Sequence, residues 1–139
     1  MNKRKIILLG ALAVAVIGAI TAYSFLTPKG EIDVAQSDAT HEVTASALYA
    51  AFDEDEATAN NEYAGAVITI KGVLQAVDEN ESNQIQLSLA AESDFGSVLC
   101  TLRDAPANLT NLEIGTPVTV KGVCTGYLFD VVIDHAILL

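Results

Sequence analysis

The chain has 139 residues, room for one small domain and too few for a multidomain enzyme. Hydrophobic residues make up 51% of it, which excludes an acidic disordered protein. Lys and Arg total 7 against 18 Asp and Glu; with Lys3, Arg4 and Lys5 set aside, four cations face all 18 acids and the remainder carries −14. Such a surface repels phosphate backbones and gives no attraction to anionic lipid.

Ile6 to Leu26 is an uncharged run rich in Ile, Leu, Val and Ala. As a helix it spans roughly 30 Å, the hydrocarbon thickness of a bilayer. Lys3, Arg4 and Lys5 precede it, and Tyr23 and Phe25 lie near its far end. The positive-inside rule then predicts a single-pass membrane protein whose C-terminal part lies outside the cytoplasm, in the periplasm if the cell has one. Residues 1–27 are thus read as an N-terminal transmembrane helix. The alternatives are a signal peptide cleaved after the small residues near Ala22 and Ser24, giving a secreted protein, and a buried soluble helix.

Residues 28–43 read as a flexible linker, with Pro28, Gly30 and Ser37 and no sustained period. A linker of that length reaches about 20–24 Å. The domain follows at residues 44–139. Thr44 is placed to cap a helix whose stripe holds Ala45, Leu48, Phe52, Ala59 and Tyr63. Asp53 to Glu56 resembles the start of a calcium loop. The required Gly and Glu are replaced by Thr58 and Ala64, so a solvated acidic helix face is the better reading.

From Gly65 the period becomes two. Ala66 to Val77 predicts a long strand, Asp78 to Asn83 a polar turn, and Gln84 to Leu89 a second strand with Ile85, Leu87 and Leu89 inward. Ser97 to Leu102, Thr116 to Cys124 and Phe129 to Leu138 complete five. Ile68, Ile70, Val98, Val118, Val120 and Val131 join the expected core. Gly72 and Gly122 stand at matching points of two similar strands, where a small barrel needs a bend or a close contact. The class is mainly β: a five-stranded OB-fold Greek-key barrel with one preceding helix.

The ordered set Leu48, Phe52, Ala59-Asn60 and Tyr63, then Ile70-Lys71-Gly72, Val98-x-Cys100, Gly115-x-x-Val118-x-Val120-Lys121-Gly122-x-Cys124-x-Gly126 and Asp130-Val131-Val132, is similar to the tRNA-anticodon-like OB-fold family of bacterial envelope proteins. The similarity spans residues 44–139. It implies the fold. Members are often described as nucleic-acid-binding, but fold does not fix function, and no catalytic or binding residue carries over.

OB folds bind through their second and third strands and the flanking loops. That track predicts a ligand face of Gln84, Gln86, Ser88, Ser97, Leu99, Thr101, Arg103 and Tyr127. Single-strand binders need aromatic platforms and cations there. Tyr127 and Phe95 are its aromatics, Arg103 is its cation, and Asp78, Glu79 and Glu81 flank it. The face suits an envelope protein or a small ligand better than nucleic acid. Cys100 and Cys124 point inward. They form either a disulfide closing a loop of about 25 residues, stabilising by roughly 3–4 kcal/mol, or two buried thiols. His41 sits in the linker, and Asp134-His135 lacks a nucleophile motif beside it. No enzyme, metal site or cofactor is predicted. The expected function is a membrane-anchored extracytoplasmic binding module; the alternative is single-stranded nucleic-acid binding.

Overall fold

The computed structural model describes residues 32–139 together with Lys3. Apart from that lysine, the expected anchor at residues 1–27 and the first part of the linker lie outside the described residues. Among the described residues no helix is long and apolar enough to cross a membrane. Asp33–Leu139 is one contact unit.

All five expected strands are present. β-branched residues in strict alternation favour a pleated surface with one oily face. In chain order after a short strand β1 (His41–Thr44), they are β2 (Val67–Glu79), β3 (Ile85–Ala90), β4 (Ser97–Leu102), β5 (Pro117–Leu128) and β6 (Asp130–Leu138). β2 pairs antiparallel with β3 and β5, β3 with β4, and β5 with β6, while β4 runs parallel to β6. The sheet therefore closes on itself through the β2–β5 pairing. Closure satisfies the backbone groups that an open sheet of such oily strands would expose at its edges.

β2 serves two neighbours in succession. Its first half, Val67 to Val73, lies opposite Val123 to Pro117, and its second half, from Leu74, lies opposite β3. Ile68, Ile70, Leu87, Val98, Val120 and Val131 are fully buried. Ile85 and Val118 are half-buried and pack against the same core. Gly122 sits where β5 crosses β6: an added Cβ would stand 2.5 Å from Ile133 Cγ2 and 3.1 Å from the Asp134 carbonyl. A Cβ at Gly72 would stand 2.9 Å from that of Ala45 and 3.1 Å from that of Leu89. Both glycines are thus close-approach points, as the matching strands predict.

β6 changes parity within its own length. Val131 and Ile133 point inward, and then Ala136 does. The extra residue is accommodated at His135, whose φ is 51°, and the pairings with both β4 and β5 shift there. A bulge of this kind bends a strand and lets it close a barrel. It also explains why both faces of the segment are apolar: Ile137 packs outward against Val34, Val67 and Val123.

The expected single helix is two. α1 (Ala45–Glu54) starts at Thr44, whose hydroxyl accepts from Ala47 N at 3.1 Å. Asp55 interrupts it, and its carboxylate accepts from Thr58 N and Thr58 Oγ1 to begin α2 (Glu56–Tyr63). These hydrogen bonds hold the Asp55 carboxyl below its usual range. α1 lies against β1, β2, β3, β4 and β6 and seals one end of the barrel with Leu48, Tyr49 and Phe52. Burying each of these side chains stabilises by roughly 1.5–3 kcal/mol.

The expected flexible linker ends earlier than residue 43. His41–Thr44 pairs parallel with β2, His41 opposite Ile68 and Thr44 opposite Lys71, on the edge that β3 leaves free. Lys71 also bridges to Glu42 across this pair. Before it, Val34 is fully buried in the outer cluster, and Asp33 reaches Arg103 Nη1 at 3.3 Å. Val34, the Asp33–Arg103 pair and the bond from Thr40 N to the Val67 carbonyl together hold a segment whose composition reads as a linker. His41 packs edge-on against Tyr63, ring centroids 5.1 Å apart, rather than hanging in a loop.

Candidate binding face

β3 and β4 carry most of the expected face. Pairing sets Gln86 opposite Thr101, Ser88 opposite Leu99 and Ala90 opposite Ser97, all on the outer side of the sheet. Gln86 Nε2 donates to Thr101 Oγ1 at 3.2 Å, and Thr101 is nearly covered. Gln84 closes the β2–β3 hairpin, where Asn80 Oδ1 accepts from its amide at 2.9 Å. Five of the expected residues, Gln86, Ser88, Ser97, Leu99 and Thr101, therefore share one surface, with Gln84 at its margin.

Arg103 and Tyr127 do not act with them. Arg103 follows the far end of β4, where Asp104 Oδ2 accepts from its Nε at 2.9 Å and Asp33 from Nη1. Asp104 first, and then Asp33, raises its already high pKa. The one cation of the expected face is thus held by two carboxylates. Tyr127 instead lies under α1, stacked on Phe52 with centroids 5.8 Å apart and edge-on to Tyr49 at 5.8 Å. Its hydroxyl reaches Asp53 Oδ1 at 3.4 Å. A hydrogen bond to Tyr49 first, and then desolvation, push the phenol up to about 12. The reason is register: Tyr127 pairs with buried Val131, so its ring faces the helix rather than the β3–β4 surface.

Beside Ser97 the outer face opens into a cleft of about 380 Å³, lined by Gln75, Ser88, Ser93, Asp94, Ser97 and Asp130 among others. Asp130 anchors its wall. Its Oδ1 accepts from Ser97 N at 2.7 Å and from Ser97 Oγ at 3.0 Å, tying the start of β6 to the start of β4. The lining is rich in hydroxyls and an amide, with two carboxylates and no cation. Such a set accepts hydrogen bonds from polar or positively charged groups.

Cys100 and Cys124 are both free thiols. Burial alone pushes Cys100 up to about 12, and burial is the main cause that pushes Cys124 up to about 11. The expected alternative of a disulfide does not hold, because Ile133 is paired with both residues and lies between them. His135 is exposed at its bulge and takes no part in the cleft. Among the described residues no group of three or more His, Cys, Asp or Glu is arranged to hold a metal.

A family model described as tRNA_anti-like matches residues 1–136. The chain belongs to the tRNA_anti-like family. Among solved structures, this tRNA_anti-like chain is similar to a lipoprotein of Klebsiella pneumoniae to which nucleic-acid binding is ascribed. The TM-score is 0.54 at 15% identity, covering 81% of this chain and 99% of that one. At that identity the likeness shows the fold. No curated protein matches the chain significantly.

Sequence reasoning missed the cleft of this tRNA_anti-like barrel. Its Ser93, Asp94 and Gly96 form a recognisable loop cluster next to the expected β4. Gln75 and Asp130 carry no such signal. They reach the cleft because β2 lies beside β3 and β6 pairs parallel with β4, a strand distant from it in the chain.

Proposed function

We propose that the chain is an envelope-tethered, extracytoplasmic OB-fold binding module. Residues 1–27 are its anchor, and its ligand, a protein segment or a polar small molecule, sits on the outer β3–β4 face. The observation that carries this reading is the open cleft beside Ser97, whose carboxylates and hydroxyls are contributed by three strands and a loop. Clefts with a few convergent polar groups are where small barrels bind. The ascription given to the Klebsiella lipoprotein favours a second reading, single-stranded nucleic acid. It fits this chain poorly, because Arg103 is paired with Asp104 and Asp33, and Tyr127 is stacked beneath α1.

The test is site-specific photo-crosslinking in the intact chain in its native membrane. The reactive group is placed at Ser88 in the cleft and, as a control, at exposed Glu113. A discrete adduct at Ser88 and none at Glu113 supports the module and identifies its ligand. An oligonucleotide adduct, or tight oligonucleotide binding in a low-salt titration, replaces it with the second reading.

A further inference from the structure

The end of the barrel beside the cleft exposes three large apolar side chains. Phe95 is 89% exposed, and Leu128 and Phe129 are each 78% exposed. They belong to two loops that touch. Phe95 adjoins Gly96, whose α-carbon lies so close to the Phe129 carbonyl that a Cβ there would overlap it. Ser97 is hydrogen-bonded to Asp130 in the same place.

Phe129 makes the turn alone: Leu128 and Asp130 are paired, and Phe129 between them has φ 67°. An L-aromatic residue in that region is strained, and glycine would relieve the strain. The cost is not recovered in packing, since the ring is exposed. Strain of this kind gathers where a side chain serves a ligand.

The charges around this tip share one sign. Glu92 and Asp94 lie in the same loop as Phe95, Asp130 follows Phe129, and Asp53 reaches nearby Tyr127. None of the cations of the unit, Lys71, Arg103 and Lys121, belongs to either loop. Lys121 is seven residues up β5 from Leu128, about 23 Å at the usual strand rise. Arg103 is six residues beyond Ser97, about 20 Å. Lys71 lies four residues before Gln75 of the cleft wall, about 13 Å at the same rise, and is bridged to Glu42.

We infer that this tip docks a cationic, apolar peptide segment of a partner protein. The apolar residues of that segment cover Phe95, Leu128 and Phe129, and its Lys or Arg side chains meet Asp94 and Asp130 at the mouth of the cleft. Anionic lipid is the weaker occupant, because the surrounding acids repel it. The inference rests on the binding-module reading and names its partner chemistry.

The test is fluorescence anisotropy on the full chain with three synthetic peptides: Lys/Phe/Leu, Glu/Phe/Leu and Lys/Ser. Vesicles containing anionic lipid form a fourth arm. The Lys/Phe/Leu peptide is expected to bind, to weaken with salt, and to bind better than the other two. Phe129→Gly combined with Phe95→Ser is expected to weaken it by about tenfold or more, the scale of an exposed aromatic anchor. Phe129→Gly alone is expected to melt no lower than the native chain, so loss of binding there is not loss of fold. Equal binding of the Glu/Phe/Leu peptide, preference for vesicles, or an unaffected Phe129→Gly/Phe95→Ser variant overturns the inference. A Ser88 adduct without peptide binding also overturns this partner chemistry while leaving the module standing; absence of both removes the two together.

Discussion

Cys100 and Cys124 lie on opposite flanks of Ile133, in one row across three strands of the barrel. Two strand spacings put their α-carbons about 9–10 Å apart. A disulfide tolerates at most about 7 Å. All three side chains are fully buried and face the same core.

The thiols are therefore expected to stay reduced under oxidising conditions, with no mobility shift between reducing and non-reducing gels. They should alkylate only as the protein unfolds. The folded-state values, about 12 for Cys100 and about 11 for Cys124, exceed the ordinary 9.0. A raised acid binds its proton more tightly when folded. Its contribution is complete below pH 9 and is lost as pH climbs from there toward the folded values. The denaturation midpoint should fall over that window, and a Cys100→Ala/Cys124→Ala chain should show a smaller fall. An unchanged slope would refute the assignment.

Gly72 seats α1 on the barrel. Gly72→Ala drives its Cβ into those of Ala45 and Leu89 and should destabilise by about 1–3 kcal/mol. Adding Ala45→Gly removes the nearer obstacle, so the double variant should recover part of that loss. Chemical denaturation of the four chains gives the coupling directly. Strict additivity would show that the contact is not the cause.

Thr44 ends β1 and caps α1 with one side chain. Thr44→Ala should cost about 1 kcal/mol by removing the acceptor for Ala47 N. Asp55 does the same work for α2, with a carboxyl held below 3.8. Its contribution is present above the unfolded value and is lost as pH falls through the lower folded one. Amide exchange near Ala59 should therefore accelerate in Asp55→Ala at neutral pH and in the native chain only in strong acid.

Val34 fastens the segment that precedes β1 to Val67, Val123 and Ile137. Val34→Ala should cost about 1.5–2.5 kcal/mol if the segment stays bound. Val34→Asp should release it, exposing residues 33–40 to limited proteolysis while the barrel resists. Equal cleavage of native and Val34→Asp chains would show that the strap is not held by this residue.

The five barrel strands were legible because alternation of Val, Ile and Leu with polar residues is a local signal. Ile68, Ile70, Leu87, Val98, Val120 and Val131 are buried as that pattern requires. β1 was not legible: four residues alternating in burial inside a polar stretch have too short a period to detect. In sequence Asp55 is indistinguishable from the rest of one acidic helix, because capping depends on the backbone turning at that residue. Among the expected ligand-face residues, Gln86, Ser88, Ser97, Leu99 and Thr101 met on one surface because neighbouring antiparallel strands inherit their facing from parity. Arg103 and Tyr127 were lost to partners distant in the chain, Asp33 and Phe52.

Residue order thus settled the strand count, the inward set, the capping threonine and the excess of acid, all properties that neighbours within a few positions express. The cleft, the split fates of Cys100, Ile133 and Cys124, and the apolar tip at Phe95 and Phe129 arose only when β6 paired with β4, a strand distant from it in the chain. Closing a sheet chooses which distant strands become neighbours. That choice is made by the summed packing of the whole core, which no short stretch of residues contains.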